Sequence, residues 1–505
     1  MEAQLGKAKA AALLIGAFAI VHGWLFFASF KIEAVGATDV GLYDYWMNVT
    51  RDQGVWPVLD YQWVYPILAL VPMVVADLAA GLFPPEAGWG YMASWCLMVT
   101  VINAAVACFV WWAVGPRRAV VAVGFWLALL ASLGTVGITR IDAVATPLII
   151  VALVSAARRP RVAMVLLTIG AWIKVAPGSV ALPLFALVRR RAQSVLAPGA
   201  AVCAVVGLGA WLLGASRRDF LAFVTEQGSR GLQIESVAAT PIVVVKALRG
   251  EQTWEYNDAL GTVETVGGLA DAFAAMTTWL LPLAAVAIGL AAFRARHRAG
   301  EALTVGAMAI LSAMIVTNKV GSPQFIAWLA PPVVAALARR PRSEEWRAVA
   351  VAMLVIGGLT QLIYPIGYFA FLENSMPMVT VVAVRNLGVV GLLVWSSARL
   401  WQLGRPEQDA KPARPARDID ADGGAAAWRL AYLLRLLPGR RQNVEERDWR
   451  RGPEPETATV PGQASELVGT AHGARAGFAP PDTSPARALP ISVNEQAAPE
   501  VPGNM

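Results

Sequence analysis

Charged residues are scarce in this chain of 505 residues: they make up 15% of it, whereas 57% of the residues are hydrophobic. Soluble globular domains have about 25% charged residues, so this composition excludes a soluble protein. Apolar runs of about 17–25 residues recur from Ala8 to Trp401, each long enough to cross about 30 Å of hydrocarbon as a helix. The sequence therefore predicts an all-α polytopic membrane protein with roughly eleven to thirteen membrane segments.

Cysteine and histidine are also rare, with three of each. The cysteines lie in apolar runs without the spacing of metal ligands, which indicates packing and neither a disulfide framework nor a zinc site: Cys96, Cys108 and Cys203. His22 lies in the first apolar run, and His297 and His472 fall in segments expected to be cytoplasmic. No internal repeat is evident, which disfavours a transporter built from inverted repeats.

The net charge of +7 is concentrated in short arginine clusters beside apolar runs. Such clusters are orientation signals, and they make nucleic acid an improbable partner. Lys7 and Lys9 keep the N-terminus cytoplasmic, and we interpret Ala10 to Phe30 as a retained signal-anchor in preference to a cleaved signal peptide. The polar stretch from Lys31 to Pro66, the opening loop, is therefore expected outside.

Two segments do not fit a simple alternation of sides. Tyr65 to Leu82 contains two prolines and an aspartate, and we interpret it as a re-entrant or interface-lying helix. Val162 to Val188 is interrupted at Lys174 to Gly178, which predicts two short helices that meet on the outer side. The outer face then gathers these polar stretches: Lys31 to Pro66, Thr139 to Asp142, the break at Lys174, Ala215 to Gly267, Thr317 to Gln324, and Leu372 to Pro377.

Beyond Gln402 the composition changes to Pro, Ala, Gly, Arg and Glu. We therefore divide the chain into a membrane domain, residues 1–401, and a disordered cytoplasmic tail, residues 402–505. Within the tail, Ala425 to Leu437 interleaves leucines with arginines, which is typical either of a basic helix on anionic lipid or of a transient helix. The tail is also where cytoplasmic partners would bind.

Charges at the membrane edge are costly, so the polar stretches are candidate functional sites. Asp39 lies about nine residues after Phe30, at the depth where a lipid-linked substrate presents its headgroup. A carboxylate there can accept the proton of an attacking hydroxyl, or it can be a solvated loop charge. The aromatic residues of the opening loop suit either sugar rings or the interfacial aromatic belt: Tyr43, Tyr45, Trp46, Trp56, Trp63 and Tyr65.

Isolated cations occur in the other stretches. Lys174 lies at the predicted helix break, where it either binds an anion or snorkels to the interface. Arg140 and Asp142 stand alone between apolar runs and suggest a structural ion pair. Arg230 can clamp a phosphate with its bidentate fork, although composition alone makes this a weak signal.

Four further polar residues are candidate site residues: Gln233, Glu235, Lys319 and Gln324. Gln233 and Glu235 are two apart and would point the same way in an extended segment. Lys319 and Gln324 lie in a tight loop bounded by Gly and Pro; such a loop needs no function, but the two side chains match a polar pocket wall.

Five motifs together carry a family resemblance: Asp39-Val40-x-x-Tyr43, Tyr65-Pro66, Ala171 to Pro177, Arg230 to Ser236, and Asn318 to Gln324. The set resembles the actinobacterial members of glycosyltransferase family 87, which have the GT-C fold and use polyprenyl-phosphate sugars, chiefly polyprenyl-phosphate mannose. The resemblance spans about Ala8 to Trp401. Ile67 departs from the usual Tyr-Pro-Pro, a change expected to affect only the stiffness of the helix start.

The resemblance implies a metal-independent, cofactor-independent inverting transfer on the outer face of the plasma membrane. By motif position Asp39 would be the base, with Asp44 and Asp60 as alternatives. The donor phosphate would be bound by cations, since a departing phosphodiester gains negative charge: Lys174, Arg230, Lys319 and Arg140. The acceptor and sugar would be contacted by Tyr43, Trp46, Tyr65, Gln233, Glu235 and Gln324.

The implied partners are a polyprenyl-phosphate sugar donor, a glycan or glycolipid acceptor, and the lipid bilayer. If relatives rely on an outer-face histidine, another residue must do its work here. Two other functions remain open on the sequence alone. One is a flippase or transporter of lipid-linked sugars, and the other is a non-catalytic membrane scaffold whose tail recruits partners.

Overall fold

The computed structural model describes residues 2–33, 38–84, 88–225, 230–257 and 262–405. The predicted tail helix at 425–437 lies outside the described residues. The helices are α1 Glu2–Glu33, α2 Val40–Gln53, α3 Leu70–Ala80, α4 Gly90–Val114, α5 Pro116–Leu133, α6 Asp142–Ser155, α7 Pro160–Ile173, α8 Ala176–Ser179, α9 Ala181–Leu187, α10 Ala197–Leu212, α11 Arg217–Thr225, α12 Thr240–Leu248, α13 Gly268–Arg294, α14 Ala299–Val316, α15 Ala330–Arg339, α16 Glu344–Gln361, α17 Tyr368–Leu372 and α18 Met376–Leu403. The strands are β1 Leu232–Gln233, β2 Glu255–Asn257 and β3 Thr262–Thr265.

Seven helical stretches of the described chain are long and apolar enough to cross a membrane: Gly6–Ile32, Gly90–Val114, Pro116–Gly137, Ala192–Leu212, Gly268–Val316, Glu344–Ile366 and Met376–Leu403. The fifth stretch contains both α13 and α14, which meet at the tight turn Ala295–Arg298. Four shorter apolar helical segments accompany them: Ile67–Ala80, Asp142–Ser155, Pro160–Ile173 and Ala176–Leu187. The protein is an all-α polytopic membrane protein, as predicted, although the predicted number of segments is reached only when the short ones are counted.

The two segments that did not fit a simple alternation between the two sides of the membrane both form short helices. After Pro66 the chain forms a tight turn, Ile67–Ala69, and then α3, whose 11 residues extend about 16 Å, roughly half the hydrocarbon thickness. The break at Lys174 is present as predicted: α7 ends there because Lys174 is extended, with φ −152° and ψ 134°. A Cβ at Gly170 would lie 2.8 Å from Cβ of Pro177, so glycine lets the chain fold back this closely.

The main hydrophobic core is built from helices that are apolar on most sides. α14 and α15 are buried along nearly their whole length, and α14 packs along α18 as α6 packs along α7. α1 contacts α4 and α5 and so belongs to the bundle. In contrast, α13 exposes large apolar side chains such as Trp279 and Leu283, which suits a surface in contact with lipid.

A smaller core lies beside the bundle and was not predicted from the sequence. The three strands form an antiparallel sheet in the order β1-β3-β2, with Leu232 opposite Thr265 and Tyr256 opposite Val263. Leu232, together with residues of α12 and α17, packs against the first half of α18, where Val382 is buried. The sheet thereby holds the long loop after α11 against the bundle.

α14 and α18 run between two ends of the bundle. α14 contains 18 residues, so its length is about 27 Å, close to the thickness of the hydrocarbon core. One end holds Thr317 to Gln324, and we call it the site end. The other holds Glu301 on α14, which pairs with Arg399 on α18 at 2.8 Å; we call it the basic end.

Candidate active site

Asp39 and Arg140 form an ion pair at the site end, through Oδ1 and Nη1. Asp39 directly precedes α2 and Arg140 precedes α6, and their side chains are 21% and 11% exposed. The suggested ion pair between Arg140 and Asp142 is wrong. Asp142 instead accepts a hydrogen bond from Nε1 of Trp328, at 2.6 Å, which leaves the guanidinium of Arg140 to the carboxylate of the opening loop.

Tyr43 holds the same carboxylate from the other side. Its hydroxyl donates to Oδ2 of Asp39 at 3.3 Å and accepts from the backbone N–H of Ile141 at 3.0 Å. The two residues are one helical turn apart and so share a face of α2. Burial raises the pKa of Tyr43 well above its usual value, so the phenol remains a donor. Because Tyr43 is fully buried, it positions Asp39 and has no surface for a sugar.

Lys174 lies against an aromatic wall. Its Nζ is 4.7 Å from the ring centroid of Tyr65 and 5.8 Å from that of Phe325, within cation–π range. Burial lowers the pKa of Lys174, Asp142 opposes this effect, and Arg230 and Arg140 add to it. These electrostatic influences place three cations and one buried carboxylate in one neighbourhood.

Trp46 and Trp63 extend this wall. The Trp46 and Trp63 ring centroids are 5.1 Å apart, and those of Trp63 and Tyr65 are 5.2 Å apart, both edge to face. Burial raises the pKa of Tyr65 to about 12, so its hydroxyl stays protonated at neutral pH. The three rings form a rigid aromatic surface beside the ammonium group of Lys174.

The motifs Arg230 to Ser236 and Asn318 to Gln324 contact each other directly. The backbone N–H of Gln233 donates to the carbonyl of Lys319 at 3.0 Å, and the N–H of Gly321 donates to Oε1 of Gln233 at 3.1 Å. A Cβ on Gly321 would clash with the backbone of Glu235 and Ser236. Glycine is therefore required at this junction, and Gln233 joins the two loops.

Glu235 connects this junction to α17 and α18. Tyr368 hydrogen-bonds its carboxyl group, and Arg385 donates through Nη2 to its backbone carbonyl at 3.3 Å. Burial raises the pKa of Glu235, while Arg385, the Tyr368 hydrogen bond and Arg140 oppose the rise. The influence of Arg140, the smallest of these, indicates that Glu235 lies within electrostatic range of the Asp39 ion pair.

Tyr364 links Arg140 to Tyr368. Nη2 of Arg140 donates to the Tyr364 hydroxyl at 3.2 Å, and the rings of Tyr364 and Tyr368 are 5.2 Å apart, edge to face. Contacts therefore run without interruption from Asp39 through Arg140, Tyr364 and Tyr368 to Glu235. We call these residues, with Tyr43, Tyr65, Asp142, Lys174, Arg230 and Arg385, the polar cluster.

The sequence matches glycosyltransferase family 87 over residues 63–323, just over half of its 505 residues. The chain belongs to glycosyltransferase family 87. It is accordingly a membrane glycosyltransferase, with a sugar donor and an acceptor. The comparison with curated proteins finds no match.

The matched range of the transferase contains most of the polar cluster, including Arg140, Lys174 and Arg230. It begins after Asp39 and Tyr43 and ends before Tyr364. The ion pair between Asp39 and Arg140 thus joins a residue outside the matched range to one inside it, and only the folded structure connects them.

Four other predicted residues of the family 87 transferase are Asp44, Asp60, Lys319 and Gln324. Asp60 is exposed, and its Oδ2 accepts from the backbone N–H of Trp56 at 2.7 Å, so it stabilises a turn. Asp44 is within electrostatic range of Tyr91 on α4. Lys319 supplies a carbonyl to the loop junction, and Gln324 is buried with an Oε1 atom that has no hydrogen-bond partner among the described residues.

Tyr364, Tyr368, Arg385 and Asn386 were missed from the sequence, and Asp142 was considered only as the ion-pair partner of Arg140. Asp142 is 1% exposed, and within the described ranges its Oδ2 has no hydrogen-bond partner. Arg385 and Asn386 lie inside an apolar run, a signal that could have identified them, since charges at membrane depth are functional by default. Tyr364 and Tyr368 gave no local signal. No group of three or more His, Cys, Asp or Glu residues in the described part of the chain could hold a metal ion.

Proposed function

We propose that this family 87 transferase moves a sugar, mannose in the first instance, from a polyprenyl-phosphate sugar to a hydroxyl of a lipid-linked or cell-envelope glycan. The transfer inverts the anomeric carbon, occurs on the extracytoplasmic face of the plasma membrane, and uses a GT-C fold. One observation carries the proposal: Arg140, which pairs with the carboxylate of Asp39, lies within electrostatic range of Lys174, and so does Arg230.

Asp39 is the proposed general base. Arg140 and Tyr43 fix its two carboxylate oxygens, so the group is oriented before the acceptor arrives. Asp39 takes the proton of the acceptor hydroxyl as that oxygen attacks the anomeric carbon opposite the phosphate. The new carbon–oxygen bond forms while the bond to phosphate breaks, and polyprenyl phosphate leaves with the electron pair.

Lys174 and Arg230 are the proposed phosphate ligands. The leaving phosphate gains negative charge in the transition state, and preorganised cations in a partly dry site stabilise that charge best. The lowered pKa of Lys174 fits an ammonium group whose charge is favoured by an arriving anion. Arg140 is engaged by Asp39 and Tyr364, so we assign it to positioning the base and not to the phosphate.

The acceptor side is assigned to the aromatic wall and the Glu235 region. Trp46 and Tyr65 are partly exposed rings of the kind that stack on sugars. Glu235 and Gln324 supply buried oxygens that can accept hydrogen bonds from sugar hydroxyls. The site end faces outward in this proposal because the basic end holds the arginines that the positive-inside rule places in the cytoplasm. Both termini then lie in the cytoplasm.

The proposal is tested by incubating the purified protein in lipid nanodiscs with a small panel of polyprenyl-phosphate sugars and envelope glycolipids. We expect transfer from polyprenyl-phosphate mannose to at least one acceptor, with release of polyprenyl phosphate. Movement of the lipid-linked sugar across a vesicle membrane without any transfer would support the flippase alternative instead.

A further inference from the structure

A cavity of about 1020 Å³ opens at the basic end, remote from the polar cluster. It lies where α9, α13 and α14 come together, and its polar lining consists of Arg189, Arg191, Arg296, His297, Arg298, Glu301 and Arg340. We call it the basic cavity. Its distance from the site end is set by α14, about 27 Å long, so it is separate from the site of transfer.

Two of its arginines are held by an aromatic ring. The guanidinium carbon of Arg191 lies 5.1 Å from the ring centroid of Phe293, and that of Arg296 lies 4.6 Å from it. Arg191 also donates through Nε to the carbonyl of Phe185 at 3.0 Å. These contacts fix both guanidinium groups without neutralising their charge, since aromatic rings and carbonyls carry no net charge.

Negative charge in the basic cavity is limited. Among the described lining residues Glu301 is the one carboxylate, and it is engaged by Arg340 at 3.1 Å and by Arg399 at 2.8 Å. Among the described residues that line the cavity, five arginines therefore accompany one carboxylate.

The start of α14 adds to this field. Ala299 and Gly300 line the basic cavity, and they begin a helix of 18 residues whose positive dipole end favours an anion. No atom lies within 4 Å of the position that a Cβ on Gly300 would occupy, so there is open space beside the helix start. Leu187, Val188 and Phe293 give the same cavity an apolar side.

We propose that the basic cavity binds a phosphate ester, supplied either as the headgroup of an anionic phospholipid or as a soluble phosphomonoester. Planar guanidinium groups match phosphate oxygens in bidentate fashion, and several of them converge here. Arginines that only orient a membrane protein attract anionic lipid diffusely. The basic cavity instead predicts one saturable site.

The test uses the full chain in detergent and native mass spectrometry, with phosphatidylglycerol compared with phosphatidylcholine. We expect wild type to retain one phosphatidylglycerol molecule saturably. The double variant Arg191→Gln/Arg296→Gln should weaken this binding about tenfold or more. The matched control is Arg117→Gln/Arg118→Gln, which removes the same charge from exposed residues at the start of α5 and should bind like wild type.

A second variant tests whether binding can be lost while the protein stays folded. Gly300→Asp adds a carboxylate in open space at a helix N-terminus, where negative charge is tolerated, and should abolish binding while the thermal unfolding temperature stays within a few degrees of wild type.

Competition with glycerol 3-phosphate distinguishes the two sources of the phosphate ester, which are a phospholipid headgroup and a soluble phosphomonoester. Displacement of the lipid identifies the phosphate group alone as the ligand, and failure to displace it identifies the whole lipid headgroup with its apolar anchor. The proposal is overturned if neither compound binds saturably, or if both double variants lose binding equally.

Discussion

Arg140 donates to two partners at once: Nη1 pairs with the carboxylate of Asp39, and Nη2 donates to the hydroxyl of Tyr364 at 3.2 Å. One guanidinium group thereby connects the opening loop with Tyr364, which lies 224 residues after Arg140. Because the fork is planar, the position of Tyr364 constrains the direction from which Arg140 meets Asp39. The orientation of the proposed base is therefore set by the last third of the chain.

Arg140→Lys tests this positioning role. An ammonium group keeps the charge but cannot hold Asp39 and Tyr364 in one fixed plane, so we expect kcat to fall about tenfold or more with little change in the KM for donor. The control is Arg51→Lys, because Arg51 pairs with Asp77 at an exposed site and such pairs contribute little. Wild-type kcat in the Arg140 variant would show that the charge alone suffices.

Replacement of Lys174 or Arg230 by Ala tests the phosphate assignment. Loss of a preorganised cation should lower kcat/KM for the donor by about two orders of magnitude and leave the KM for acceptor nearly unchanged. Lys246→Ala serves as the control, since Lys246 donates to the carbonyl of Val266 at 2.8 Å outside the polar cluster. Equal effects on donor and acceptor would indicate a structural role for the two cations.

Gly321→Ala tests the junction between the two loop motifs. The added methyl group would clash with the backbone of Glu235 and Ser236, and overpacking of this kind costs about 1–3 kcal/mol. We expect a lower thermal unfolding temperature and reduced transfer. Gly358→Ala on α16 is the matched control, because its Cβ would meet no atom within 4 Å. A neutral result at Gly321 would show that the loops can move apart.

Glu235→Gln tests the buried carboxyl group through pH. The pKa of Glu235 is raised above 4.5 by burial, so its contribution to stability is fully present below pH 4.5 and is lost as the pH rises through the folded-state pKa. Glutamine does not titrate. The unfolding temperature of the variant should therefore rise relative to wild type between pH 4.5 and neutral pH, and a fall over the same range would contradict the raised pKa.

Sequence patterns predicted the features that depend on the hydropathy and backbone preference of neighbouring residues. Apolar runs predicted the membrane bundle, and the interruption after Ile173 predicted the helix break, since both depend on hydropathy and backbone preference. Two of the polar motifs singled out from the sequence contact each other in the structure, through Gln233 and Gly321.

The pairings within the site could not be predicted in the same way. Arg140 and Asp142 are neighbours in sequence, yet Arg140 pairs with Asp39 while Asp142 bonds Trp328, because helix packing decides which face each side chain meets. The small sheet was missed because its strands have only two to four residues, too few to show an alternating pattern. Arg385 was detectable as a charge in an apolar run, but its partner Glu235 lies 150 residues away.

Asp39→Asn tests the central proposal most directly, by transfer of radiolabelled mannose from polyprenyl-phosphate mannose in nanodiscs. Asparagine keeps the shape of the side chain but cannot take a proton, so we expect the rate to fall by roughly 10²- to 10⁴-fold while donor binding remains. Asp60→Asn is the control, since an amide oxygen can still accept from Trp56, and it should transfer normally. A rate near wild type in Asp39→Asn would show that Asp39 is not the base.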